Sequence, residues 1–174
     1  AARSLVEEQS GDVIACLFGD EGLDELTQEA FSYGADKVLL ARDASLADFR
    51  VEPYAALLEK AVRDLEPETV LIAATFRGRE LGPALAVKLE TGCIADCTVL
   101  NAEDGQVVAT RPIYAGKLMS RCTIPERRPQ IFTTRVRAFG KPEPQPDQDG
   151  EVIELEPVMG EDQIGVKVAG FKET

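Results

Sequence analysis

The run Thr69 to Ala74 (TVLIAA) is apolar on both of its alternating sides once past its first residue. That feature limits the possible folds more than any other. A strand with water on one face alternates apolar and polar residues. One that is apolar throughout needs cover on both faces, as the strands of a parallel sheet have when helices pack above and below it. The run passes directly into Thr75-Phe76-Arg77-Gly78-Arg79 and then into a helical stretch. In an α/β sheet such a loop lies at the carboxyl edge, where ligands and partners dock.

The rest of the first half repeats the pattern. Ala2 to Gln9 reads as the remaining turns of a first helix, and Asp12 to Phe18 (DVIACLF) as a short strand between Gly11 and Gly19. Leu23, Leu26, Thr27, Ala30 and Phe31 recur at helical spacing, predicting a helix over 20–33 that ends at a left-handed Gly34. Lys37 to Ala41 (KVLLA) is the next strand. A helix from about Pro53 to Leu65 follows, with Tyr54, Leu57, Leu58, Ala61, Val62 and Leu65 on one stripe. Proline inside a helix is tolerated near the amino end, so Pro83 places the next helix start around Gly78 to Glu80. Free amides at that start can hold an anion beside Arg77 and Arg79, although the loop lacks phosphate-loop spacing and plain capping explains it as well.

Beyond this helix the character changes. Ile94 to Leu100 reads as one apolar strand, and Gln106–Thr110, Leu118–Ile124 and Gln130–Val136 as short extended runs. Asp104-Gly105 between two such runs signals a tight turn. Lys141 to Pro146 (KPEPQP) is a stiff connector. Glu151–Leu155 and Ile164–Ala169 read as two last strands, and Phe171 to Thr174 carries no closing element. The expectation is an α/β domain with a covered parallel sheet and a β-rich second half.

Composition narrows the chemistry. The 174 residues suit one domain, and 44% hydrophobic with 29% charged residues is the make-up of an ordinary globular protein. No apolar run approaches the ~20 residues that span a bilayer, so membrane insertion is not expected. There is no histidine, which removes Ser-His-Asp and Cys-His catalysis and any Cys/His zinc site. The four cysteines (Cys16, Cys93, Cys97, Cys122) read mostly as small buried hydrophobes in strands, in a reducing cytoplasm. Asp96 stands alone as an acid within an apolar run, most simply a strand-end carboxylate bonded to backbone or to an arginine. No enzyme is expected from these residues alone. The net charge of −12 hides a basic segment, Arg111 to Lys141, with eight Lys/Arg against Glu126. It can face an acidic partner or phosphate, or pair with the acidic remainder of the same domain. Nucleic acid is not expected, because aromatics are few and the background is acidic.

Taken in order, GRELGPALA (78–86), TGCIADCTVL (91–100) and TRPIYAG (110–116) resemble the N-terminal domain of the electron transfer flavoprotein alpha subunit, across most of the chain. The resemblance implies an α/β domain over residues 1–174, a three-layer parallel-sheet domain of the adenine-nucleotide hydrolase-like type. It implies a heterodimer with a beta subunit that carries electrons from dehydrogenases, for example in fatty acid oxidation, to a quinone oxidoreductase. FAD would be held by a C-terminal domain following residue 174. AMP or a second FAD would lie in the beta subunit, and no cofactor is expected in this chain alone. The segment would act as a scaffold, with Thr75, Arg77, Gly78, Arg79, Asp96, Arg111, Tyr114 and Gly116 as interdomain or intersubunit contacts. Lys117 departs from the family, where asparagine often follows the glycine. Family members also begin with a central strand upstream of the first helix, so the chain from Ala1 is expected to be a trimmed piece of a longer polypeptide. The alternative is a stand-alone AMP/ATP-binding module of the universal-stress type, with a small hydrolase or transferase a more distant third.

Overall fold

Apolar periodicity and local caps account for most elements. The computed structural model describes residues 1–170, apart from the side chains of Glu8 and Gln9. The stretch from Phe171 to Thr174, read as lacking a closing element, lies outside the described residues. Helix α1 (Ala2–Gln9) leads to strand β1 (Ile14–Gly19). Helix α2 (Leu23–Ser32) buries Leu23, Thr27 and Phe31, one residue per turn, and Asp24 and Glu25 in its first turn complement the helix dipole. Gly34 follows at φ 94°, the left-handed stop that the sequence predicts. Strand β2 (Lys37–Arg42) is buried from Val38 to Ala41. Helix α3 (Val51–Leu65) places Pro53 within its first turn, where the missing N–H costs no bond.

Strand β3 (Thr69–Ala73) has the double cover its sequence demands. Val70 and Ile72 pack with Leu58 of α3, Leu85 of helix α4 (Phe76–Lys88) and Ile131. Leu71 points the other way, into a cluster with Leu5 of α1, Ile94, Val107, Ala109 and Phe132. That second cover is only partly helical. It includes an antiparallel sheet made of β5 (Val99–Glu103), β6 (Gln106–Ile113) and β7 (Leu118–Cys122). Asp104 and Gly105 close the β5–β6 turn with φ 50° and 76°, the paired positive angles of a two-residue hairpin.

The expected single parallel sheet is instead two parallel sheets of three strands. In one, β1 pairs β2, which pairs β9 (Glu151–Glu154). In the other, β8 (Gln130–Thr134) lies between β3 and β4 (Cys93–Cys97), setting Val70 against Ile131 and Cys93 against Ile131 on its two sides. Gln130 ties this sheet to the antiparallel one. Its buried amide accepts from Val107 N at 2.8 Å and donates to the Thr123 hydroxyl at 3.0 Å.

Several expectations are corrected. The run Ile94 to Leu100 is two strands, because Asp96 turns left-handed (φ 63°) and breaks the register. Helix α4 starts at Phe76, earlier than Pro83 suggests, so Pro83 lies well inside it. Ile164–Ala169 forms no strand: Ile164 is buried, and the Gly165 and Val166 amides donate to the Glu52 carboxylate at 3.0 and 3.2 Å instead of to a ladder. Cys16 is exposed, open to a cleft between β1 and β3, whereas Cys97 is buried as expected.

Candidate functional site

The carboxyl ends of β3, β8 and β4 lie side by side, and each delivers polar residues to the same edge. At the end of β3, Thr75 caps α4: its hydroxyl accepts from the Gly78 amide at 3.1 Å. That bond favours the capping reading over an anion held by free amides. Gly78 lies so close to the preceding strand that a Cβ would sit 1.9 Å from the Ala73 carbonyl oxygen. Two residues in the first turn project outward. Phe76 is 90% exposed, and the Arg77 guanidinium sits 5.6 Å over the ring of Phe49, which stacks edge-on against Tyr54.

At the end of β4 the left-handed turn at Asp96 aims its carboxylate back at β8. The Asp96 amide donates to the Thr133 hydroxyl at 2.9 Å. Its carboxylate receives Arg135 Nε at 3.1 Å and Nη2 at 2.6 Å, a bidentate fork. The Arg135 bonds hold the Asp96 carboxyl below its usual range against the opposing effect of burial, and the charges of Arg135, Arg79 and Arg111 act in the same direction as those bonds. One guanidinium is bonded to the carboxylate and two more act on it through their charge, so the edge is locally positive.

Asp96 and Arg135 form one wall of a shallow hollow of about 580 Å³, and Arg111 to Gly116 form the other. Strand β6 ends there in a turn where Tyr114, Ala115 and Gly116 all have positive φ (50°, 53° and 83°). The turn is held by the Gly116 and Lys117 amides, which donate to the Ile113 and Tyr114 carbonyls. It lifts Tyr114 to 74% exposure beside exposed Leu118 and Met119 of β7.

The residues singled out in the sequence therefore separate into two neighbouring groups. Asp96, Arg111, Tyr114 and Gly116 share the hollow, with Arg79 close enough to act on Asp96. Thr75, Arg77 and Gly78 belong to the other side of the α4 amino end, towards Phe49. Sequence reasoning missed Arg135 as a site residue, counting it only in the basic segment 111–141 and inside the extended run 130–136, whereas β8 ends at Thr134; it also missed the aromatic pair Phe49–Tyr54, which nothing in the sequence links. Asp96 stays ionised, and burial pushes the nearby Cys97 thiol up to about 11, where little nucleophilic thiolate exists at neutral pH. Tyr114, Met119 and the arginines here are of residue types enriched in protein interfaces.

A family model for the electron transfer flavoprotein domain matches residues 1–158. The chain is 34% identical over 168 residues to an electron transfer flavoprotein subunit alpha of Thermoanaerobacterium thermosaccharolyticum, covering 96% of this chain and 51% of that protein. It is 37% identical over 174 residues to protein FixB of Azorhizobium caulinodans, covering 98% and 47%. A lactate dehydrogenase (NAD(+),ferredoxin) subunit LctC of Acetobacterium woodii is 35% identical over 158 residues, covering 89% and 38%. The chain thus spans about half the length, or less, of the curated relatives it matches. Among the described residues no helix is long and apolar enough to cross a membrane.

Proposed function

Because this chain belongs to the electron transfer flavoprotein family, we infer that it is the amino-terminal part of an alpha subunit and serves a flavin-based electron carrier as a scaffold. The observation that carries this reading is the alignment of nearly the whole chain with named alpha subunits and FixB. The whole protein would be a heterodimer with a beta subunit. It would hold FAD in the remainder of the alpha chain, and AMP or a second FAD in the partner. Electrons would pass from dehydrogenases to a quinone-linked acceptor, with the protein acting as carrier rather than as catalyst. The fold would be of the adenine-nucleotide hydrolase-like type. Four free thiols suit a reducing cytoplasm.

The carboxyl edge is the contact surface in this reading. Arg79, Arg111 and Arg135 around Asp96, with Tyr114 and Gly116 on the adjoining turn, would dock the flavin domain or the beta subunit. Thr75, Arg77 and Gly78 would shape its second flank. The names of the relatives do not favour a stand-alone nucleotide-binding module.

The test is the flavin and nucleotide content of the full-length polypeptide co-expressed with its partner subunit. One flavin with AMP per heterodimer supports a single-electron-carrier assembly, and two flavins support a bifurcating one. No flavin, with ATP or AMP bound by this chain alone, overturns the reading.

A further inference from the structure

Three arginines of the basic segment find carboxylates within the domain: Arg121 reaches Glu103, Arg128 reaches Glu68 and Arg135 reaches Asp96. Arg111 lines the hollow beside Asp96, yet it forms no ion pair among the described residues. Its Nε is shut away from solvent with no hydrogen-bond partner among the described residues. The large majority of buried polar side-chain atoms in folded proteins have a partner, and a guanidinium nitrogen can only donate. An acceptor is missing from this side of the hollow.

The surrounding charge narrows the choice of acceptor. Asp96 is the single carboxylate in the lining, and Arg135 already holds both of its oxygens, through Nε at 3.1 Å and Nη2 at 2.6 Å. Arg111 is left uncompensated, and the charge of Arg79 reaches the same place. The excess is positive. A planar guanidinium fork in such a setting matches a carboxylate or a phosphate.

The shape of the hollow separates those two. It is shallow, whereas a site for a small ligand encloses most of the ligand's surface. A side chain delivered by a docked protein brings its own cover. The facing wall is also held in a sparsely populated conformation. Tyr114 and Ala115 both have positive φ (50° and 53°) ahead of Gly116 (83°), and neither residue is of a type at ease there. Strain of this kind persists where it serves a site. Here it lifts Tyr114 beside exposed Leu118 and Met119, so aromatic and apolar groups rim a charged centre. Tyrosine and arginine are the residue types on which binding energy concentrates at protein interfaces. A domain tethered by the chain is kept close at high effective concentration, whereas a separate subunit has to be captured from solution. Steering charge beside an aromatic anchor serves that capture.

We propose that the hollow receives an aspartate or glutamate side chain of the beta subunit, which bonds Arg111 and lies over the Asp96–Arg135 pair. This rests on the reading of the chain as part of an alpha subunit, and it adds the chemistry of one contact. Arg111 makes the bond. Asp96 and Arg135 are positioning residues that hold the opposite wall.

Charge reversal in the full-length alpha chain, titrated with its beta subunit, tests it. Arg111→Gln is expected to weaken association on the order of 10²-fold, as loss of one partner of a desolvated interfacial pair does. Its association is also expected to depend less on salt. Arg111→Lys keeps the charge without the fork and is expected to fall between Arg111→Gln and the unaltered chain. Arg111→Glu is expected to bind weakest, and one Asp→Arg or Glu→Arg reversal on the beta subunit is expected to restore its binding. The urea midpoint of each alpha variant, read alone, separates a lost contact from a lost fold; if Arg111→Glu does not fold, the order of the Gln and Lys variants decides. Equal association by folded Arg111→Gln and the unaltered chain overturns the proposal and leaves the alpha-subunit reading standing. Rescue of Arg111→Glu by a reversal elsewhere in the alpha chain assigns the hollow to that chain and overturns the proposal too. An unaltered chain that pairs with no beta subunit sinks both.

Discussion

At Gly78 no side chain fits: a Cβ would meet the Ala73 carbonyl oxygen at 1.9 Å and Ile72 Cγ2 at 3.0 Å, and the first of these is backbone that cannot swing aside. Gly78→Ala is therefore expected to cost at least the upper end of the ~1–3 kcal/mol typical of overpacking, read as a lowered urea midpoint at unchanged slope. Gln130 works through hydrogen bonds instead. Its side chain, 1% exposed, satisfies the Val107 amide and carbonyl together with Thr123 and Ile124. Gln130→Leu keeps the volume but orphans those groups, for an expected loss of about 2–4 kcal/mol in the same measurement. The Asp96–Arg135 fork gives a pH signature. The Asp96 carboxyl is depressed in the folded state, so its contribution is present above the unfolded value of ~3.9 and is lost as pH falls through the folded one. Asp96→Asn should thus destabilise at neutral pH, with the deficit closing in acid. A deficit unchanged between neutral pH and strong acid would mean that the fork contributes nothing.

Among the elements, the β6–β7 hairpin and the stretch around Glu161 behave differently, for reasons visible in their anchors. Tyr114 at the hairpin tip is mostly exposed and touches little of the core, so Tyr114→Ala should leave stability within about 0.5 kcal/mol. Under the proposed function it should weaken association with the partner subunit, which titration calorimetry would register. The Glu161 stretch, by contrast, is pinned to the body by a bidentate pair with Arg50 at 2.8 Å, where Arg50 is 8% exposed. Bonds from Arg50 and Lys167 depress the Glu161 carboxyl to about 2. This anchor holds above the ordinary glutamate value of ~4.3 and is released as pH falls towards about 2. Arg50→Met should release the same stretch at neutral pH, raising amide exchange over residues 161–166 while β2 stays protected. The helices were mostly legible, because each stripe and cap is local in sequence. The Asp96 break was not. A left-handed aspartate inside an apolar run is made tolerable by the Thr133 hydroxyl and Arg135, both supplied by a strand far along the chain.

For the molecule as a whole, the basic segment shows how local charge is resolved by folding. Arg121, Arg128 and Arg135 pair with Glu103, Glu68 and Asp96, so part of its excess is spent within the domain, while Arg111 lines the hollow beside Asp96. The sequence by itself determined which runs are strands and helices in the first half, that TVLIAA needs cover on both faces, and which family the ordered segments resemble. Periodicity and capping act over a few residues, and so they can be read from a few residues. Only the tertiary structure decided that β8 enters between β3 and β4, that an antiparallel sheet supplies much of the second cover, and that Asp96, Arg111, Tyr114 and Gly116 meet Arg135 in one hollow. It also set β1 and β3 along one cleft. Strand pairing is fixed by hydrogen bonds between residues remote in sequence, chosen by the packing of the whole core, and no local pattern encodes which edge will meet which.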